Sequence, residues 1–422
     1  MLLTFNGRTI DAGPRQALRF VRRDIAGMRW PTRLWLLGLM GLMAVGAVGA
    51  ILAIPAGDEV FGTTPAFEWG LLIAAYVLFA VTTSGLCLVS ALGTVFGIAA
   101  FQPVAKRAAV LAFICLCAAF GVIALDLHWP MRLLFGAILS PSPLSPMWWM
   151  GTVYGIYLGF LVLELAGMFG GWHRIAKLGG TLAMCAAIVA PATLGAVFGV
   201  LIARPYWHGP FMPAYLIGTA VLSGSAMLAL LYALVVRLGL RGDGPEARTT
   251  LTALARLLGG AIGLGMFLVA WQFLVNVYGS VPGNSDAAMA LLTGPLAPQF
   301  WLRVVAGLLV PFAIILVKRW RTPDGIAFAS ALVLAGLVLD RSGFVSAGQV
   351  APTTTASGIV SKPYAAYTPS PVELAIIVGA MAAIAFAYTL AERYLDLREE
   401  PAHEHAAELA PAAAPAVEGS VA

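Results

Sequence analysis

Ten stretches of almost uninterrupted apolar sequence govern what this chain can become. They cover residues 34–54, 68–97, 106–125, 147–169, 175–203, 211–236, 250–278, 299–317, 325–345 and 371–391. About 20 consecutive apolar residues cross the hydrocarbon of a bilayer as one α-helix. Several runs are longer, which predicts tilted or kinked helices, or ends that project beyond the hydrocarbon. A soluble domain carries roughly 25 % charged residues, whereas here 11 % of 422 residues are charged and 60 % are hydrophobic. The chain is therefore predicted to be an all-α integral membrane protein with about ten transmembrane helices, within residues 34–397.

Residues 1–33 form an N-terminal segment holding seven arginines, a pattern unlike a cleavable signal peptide. Within it, Leu18, Val21, Ile25 and Met28 share one helical stripe, and Arg15, Arg19, Arg22 and Arg23 line the rest. That predicts a basic amphipathic helix lying in the headgroup plane. Residues 398–422 are rich in Ala, Pro and Glu without apolar periodicity, so a disordered tail is expected. With ten spans, 20 Lys and Arg fall on the side of the N-terminus, and 5 (Arg132, Arg204, Arg303, Arg341, Lys362) on the other. Cytoplasmic loops concentrate these residues, so both termini are predicted to be cytoplasmic. The net charge of +5 follows from this topology and gives no sign of nucleic-acid binding.

The reactive residue types narrow the chemistry. Cys87, Cys115, Cys117 and Cys185 all lie in apolar runs without a CxxC pair, so core packing is expected rather than a zinc or iron–sulfur site. His128 and His208 lie at predicted outer helix ends, His173 at an inner one, and His403 and His405 in the tail. Haem held between facing histidines is therefore not expected. Walker, GxSxG and HExxH motifs are absent from the sequence, which argues against an ATPase or hydrolase.

A charge at the bilayer centre costs about 2.5–3.5 kcal/mol on insertion scales, so each polar residue in a span needs a partner or a purpose. Most such residues map to the predicted outer half: Glu68, Asp126, His128, Arg132, Arg204, Tyr206, His208, Gln272, Asn276, Asp340, Arg341, Gln349 and Glu373. Glu164 is the main exception. It marks either the inner end of a proton path or an ion pair with a basic residue of the cytoplasmic loop. Gly151, Gly155 and Gly159 make a GxxxGxxxG ridge that predicts close helix packing. Tyr154 and Tyr157 stand beside it, as cavity lining or as belt or core aromatics.

The densest polar cluster is IALDLHWPMR, residues 123–132. IALDLHWPMRLL resembles the LDLGRPxR segment of the NrfD/PsrC family, quinone-handling membrane subunits of polysulfide and nitrite reductases. SALGTVFGIAAFQPVAKRAAVL and SPMWWMGTVYGIYL resemble its flanking segments. TLGAVFGVLIARPYWHGPFMPAYLIGTAVLSGSA, LVLDRSGFVSAGQ and YTPSPVELAIIVGAMAAIAFAY resemble a ten-span branch of hydrogenase and sulfur-oxidation (HybB/DsrP-like) membrane subunits. The family's Gly-Arg-Pro is His128-Trp129-Pro130 here, while Asp126 and Arg132 match its acid and later arginine.

The resemblance implies two four-helix bundles plus two extra helices, in a bacterial cytoplasmic (inner) membrane. It also implies a pocket near the outer face for a quinone, menaquinone or ubiquinone, with no haem or iron–sulfur cluster in this chain. The implied partners are an extracytoplasmic four-cluster iron–sulfur subunit, a catalytic subunit and, in the sulfur-oxidation branch, a cytochrome c. Quinol oxidation releases two electrons and two protons, so the pocket needs a base near neutral pH. An unperturbed imidazole titrates at about 6.5, which makes His128 the candidate base, with Asp126 beside it. Quinone-binding candidates are Asp126, His128, Arg132, Glu68, Tyr154 and His208, and Glu164 and Asp340 are the candidate proton path. A secondary transporter and a passive membrane anchor for redox partners are the competing readings. The polar residues' one-sided placement and the lack of a repeat between halves weigh against the transporter.

Overall fold

The computed structural model describes residues 2–5, 8–11, 24, 27–127, 140–237, 244–279, 284–350 and 367–397. All ten expected spans are helical. They are α1 (Trp30–Ala56), α2 (Leu71–Thr94), α3 (Gln102–Asp126), α4 (Pro146–Phe169), α5 (His173–Gly199), α6 (Phe211–Arg237) and α7 (Pro245–Tyr278). A short α8 (Asn284–Leu292) precedes the last three, α9 (Ala297–Leu316), α10 (Pro323–Val350) and α11 (Pro371–Tyr394). The 34 residues of α7 rise about 50 Å at 1.5 Å each, so this helix projects well past a hydrocarbon layer of about 30 Å.

The N-terminus holds a feature that the hydropathy pattern does not predict. Strands β1 (Leu2–Phe5) and β2 (Arg8–Asp11) form an antiparallel hairpin, with Leu2 opposite Asp11 and Phe5 opposite Arg8. Most of the expected interfacial helix and all of the expected disordered tail lie outside the described residues.

The spanning helices sort into the expected bundles. In the first, α2, α3, α4 and α5 close a ring, each packed on its two neighbours. In the second, α6, α7, α9 and α10 do the same. The bundles meet chiefly where α2 lies against α6. The extra helices α1 and α11 pair with each other, and α11 rests on α3. Helices in lipid gain little from apolar burial against one another, so close approach and dispersion must hold them. Glycines supply that approach. A Cβ on Gly85 of α2 would lie 1.7 Å from the Ala220 carbonyl oxygen of α6, and one on Gly224 only 2.1 Å from the Gly85 backbone. Gly46 of α1 touches Gly379 of α11 in the same way.

The expected GxxxGxxxG packing of α4 is not what occurs. No described atom lies within 4 Å of a Cβ placed on Gly151, Gly155 or Gly159. That ridge is turned away from the bundle, while Tyr154, Tyr157, Leu161 and Glu164 fill the buried face. The α4–α5 approach is made instead at Gly167, against Ala176, and at Gly179, against the Glu164 backbone. Cys87 and Cys115 are core residues as expected, but Cys117 and Cys185 sit on the exposed surface.

Pro311 explains the irregular middle of α9. A proline cannot donate to the carbonyl four residues back, and its ring collides with it. The helix relaxes over Val305–Leu309 into a π-turn, closed by the Val310 amide on the Val305 carbonyl. Asp24, just before α1, accepts hydrogen bonds from Arg393 (2.6 and 2.7 Å) and Tyr394 (3.0 Å) at the end of α11. The first and last spans thus have their chain-terminal ends together, as an even number of crossings requires. Asp126 closes α3 at the opposite end, the Asp126 end.

Candidate functional site

At the Asp126 end, the loop between α1 and α2 is fastened from several sides. Gln349 at the close of α10 grips the Trp69 backbone at two points, accepting from its amide and donating to its carbonyl, both at 2.9 Å. Phe67 stacks on Tyr367 with ring centres 4.7 Å apart. Glu373 accepts from the amides of Gly62 (3.0 Å), Leu71 (3.2 Å) and Ser370 (2.8 Å) and from the Tyr367 hydroxyl (2.7 Å). One buried carboxylate therefore caps the N-termini of both α2 and α11, where unpaired amides and the helix dipole favour an anion. In α11 it does so through a capping box with Ser370, followed by Pro371.

This corner gathers two of the expected quinone-site residues. Asp126 ends α3 half-buried, near enough to Tyr367 for its charge to act on that hydroxyl. Burial first, then the hydrogen-bonded Glu373 carboxylate, with Asp126 adding to it, holds the Tyr367 hydroxyl far above the ordinary phenol range. Glu68 lies between the stacked Phe67 and the clamped Trp69, its own side chain exposed. His128 and Arg132 lie outside the described residues. His208 is exposed on the α5–α6 connection, its amide bonded to the Arg204 carbonyl at 3.1 Å.

Tyr154 lies elsewhere, inside the first bundle. It is fully buried beside Tyr76 and Tyr157, with both ring centres 6.4 Å from its own. It adjoins Ser84, yet neither hydroxyl reaches a well-aligned hydrogen-bond partner among the described residues. Tyr157 donates to the Thr83 carbonyl at 3.2 Å and lies close to Cys87 and Glu164. Glu164, fully buried, accepts from Ser90 at 3.2 Å. Toward the second bundle, Tyr154 comes within electrostatic range of Arg341. Polar side chains thus occur at Glu164, Tyr157 and Tyr154 in the first bundle and at Arg341 in the second.

The second bundle holds a charged cluster that the sequence reveals only in part. The Asp340 carboxylate meets Arg303 at 2.6 Å and Arg341 at 3.0 Å, and accepts from the Tyr215 hydroxyl at 2.6 Å. Arg303 also donates to the Tyr215 oxygen at 2.8 Å, and Arg341 to Thr219 Oγ1 at 2.6 Å. Four helices meet there: α6 brings Tyr215 and Thr219, α9 brings Arg303, α10 brings Asp340 and Arg341, and α7 stands behind. The sequence pattern places Arg303 among the outer-side charges and gives no role to Tyr215 or Thr219. A signal for Arg303 does exist, because it falls inside the apolar run 299–317 and so requires a buried partner. Trp69, Phe198, Trp207 and Phe344 roof the cluster: Trp207 stacks on Trp69 at 5.2 Å, and its indole donates to the Phe344 carbonyl at 3.0 Å. That roof also joins the two bundles.

Known proteins resemble this chain in sequence. Residues 59–353 match the family described as polysulphide reductase, NrfD. The Hdr-like menaquinol oxidoreductase integral membrane subunit of Archaeoglobus fulgidus is 25 % identical over 363 residues, covering 82 % of this chain and 89 % of its own. The C subunit of the selenate reductase of Mesobacillus selenatarsenatis is 25 % identical over 343 residues, 71 % of this chain and 78 % of that one. A Halobacterium salinarum protein named as the membrane component of a putative dimethyl sulfoxide reductase is 26 % identical over 378 residues, 80 % and 85 % of the two chains. With more than half its length matched, and with ten spans in two bundles, the chain belongs to the NrfD polysulphide reductase family of multi-pass membrane proteins.

Proposed function

We propose that this protein is the quinone-reactive membrane subunit of a multi-subunit respiratory redox complex. It exchanges electrons between membrane quinone, menaquinone or ubiquinone, and an extracytoplasmic four-cluster iron–sulfur subunit. Family membership supports this reading, as do relatives whose names are those of reductase and menaquinol oxidoreductase membrane subunits. The observation that carries it is the fastened corner at the Asp126 end. A carboxylate sits there at a helix end, beside a loop held by Glu373 and Gln349. Such a fastened polar corner suits a headgroup with oxygens to be bonded and protons to be removed.

In this reading His128 takes a proton from a quinol hydroxyl, and Asp126 orients the imidazole and balances its charge. Arg132, Glu68 and His208 are the further quinone-binding residues of this reading, together with Tyr154 from inside the first bundle. The two electrons pass to the iron–sulfur partner. The polar side chains from Glu164 to Arg341 and Asp340 give protons a route across the bundles. In a bacterium the complex stands in the cytoplasmic membrane with both termini of this chain cytoplasmic, and a catalytic subunit and a cytochrome c complete it.

The test is quinol-linked turnover by the purified complex carrying His128→Ala with Asp126→Asn. Loss of a positioned base costs roughly a hundredfold or more, and a quinone-site inhibitor should bind more weakly. Turnover near that of the parent complex would sink the site. Absence of quinone-analogue binding to the isolated subunit would leave the chain a docking anchor instead.

A further inference from the structure

The Arg303–Asp340–Arg341 cluster has one more positive charge than negative. Its side chains are almost sealed from outside, at 14 %, 2 % and 1 % exposure respectively. Among the described residues, no second carboxylate reaches it. Glu59, Glu68 and Asp286 are exposed at the same end, and the Asp58 side chain lies outside the described ones. Asp126 lies with Tyr367, and Glu373 is occupied by three amides and a hydroxyl. The stretches 128–139, 280–283 and 351–366, at that end but outside the described residues, contain no Asp or Glu; their charged residues are Arg132 and Lys362. A buried guanidinium without a counter-charge is among the most costly arrangements a membrane protein can hold.

Two features mark the place where a counter-charge would sit. A cavity of about 10 Å³ lies against the cluster, lined by Thr219, Leu222, Arg303, Gly307, Leu308 and Asp340. That is about the room one water needs, and a halide is only slightly larger. The π-turn of α9 lies along the same cavity, because Gly307 and Leu308 belong to it. Such turns often mark ligand or catalytic positions. On the cluster itself, Arg341 Nε is buried without a hydrogen-bond acceptor among the described residues, and Nη1 has only the Asp340 carboxylate, at 3.0 Å.

We propose that this cavity between α6, α9 and α10 binds one small inorganic monovalent anion of the halide class, held by Arg303. The anion neutralises the extra guanidinium and fixes the cluster beneath its aromatic roof. This site is separate from the Asp126 corner and does not depend on the redox reading.

Protein purified in gluconate should gain several degrees in Tm on titration with chloride or bromide, saturating as a single site does. Gluconate and sulfate at matched ionic strength should give no such rise. Arg303→Gln should abolish the halide-specific shift, and a shift that persists in that variant overturns the proposal. If that variant does not fold, the parent protein crystallised in bromide decides. Anomalous bromide scattering beside Arg303 and Thr219 supports the site, and its absence there overturns it.

Discussion

Asp340 is the residue on which most of the buried charge depends. It meets two guanidiniums and a phenol at once, with Oδ1 bonded to Tyr215 and paired with Arg303 while Oδ2 faces Arg341. Removing one partner of a buried pair typically costs about 3–5 kcal/mol, because the remaining charge is left without compensation. Asp340→Asn keeps the shape and a hydrogen-bond acceptor but leaves two guanidiniums unbalanced. That variant should be strongly destabilised, with a marked drop in Tm in a thermal melt of the purified protein. A melt matching the parent's would show that the charge is balanced elsewhere. Sequence alone exposes Asp340 and Arg341 as charges in a span, since hydrocarbon makes any charge conspicuous. It does not expose Tyr215 or Thr219, because a tyrosine or threonine in a membrane helix is ordinary until a charge is placed against it.

At the scale of elements, helix ends rather than helix middles define the candidate site. Glu373 illustrates the difference. Its sequence context, SPVE before an apolar run, announces a capping box for α11. Nothing local announces that the same carboxylate accepts from Leu71 and Gly62, 302 and 311 residues away along the chain. Glu373→Ala removes the cap of two helices at about 1 kcal/mol each and frees the loop that carries Glu68 and Trp69. The expected result is a lowered Tm together with weaker quinone-analogue binding. Glu373→Gln, which retains part of the acceptor set, should fall between alanine and parent. Equal binding in all three would separate the cap from the site. The β1–β2 hairpin is hard to read for a different reason. Its signal is the Asn6-Gly7 pair between two short runs, a strong hairpin cue, but strands of four residues carry too little alternation to stand out beside ten apolar spans.

For the whole molecule, span number and order are legible because the bilayer imposes length and composition on every crossing. The pairing of spans is not. Small residues occur throughout, and only the fold distinguishes glycines in contact from those that are open. Gly85 and Gly155 make the contrast. An added methyl at Gly85 meets the α6 backbone, and one at Gly155 meets nothing described within 4 Å. Gly85→Ala should therefore lower Tm sharply or broaden the size-exclusion profile. Gly155→Ala should leave both unchanged or slightly improved, since glycine is about 1 kcal/mol poorer than alanine within a helix. Equal melts for the two would mean that α2 and α6 do not meet as described.

The crossing of Gly85 and Gly224 also limits how the molecule can move. Backbones that touch at one level, without side chains between them, form a pivot and not a slip plane. The bundles can swing a little about that point, but neither can slide along the other without driving a Cα into a carbonyl. The aromatic roof of Trp69, Phe198, Trp207 and Phe344 ties them again near one end, which restrains even the swing. Any signal between the first bundle and the second must then travel as protons, charge and side-chain rotation through a stationary frame.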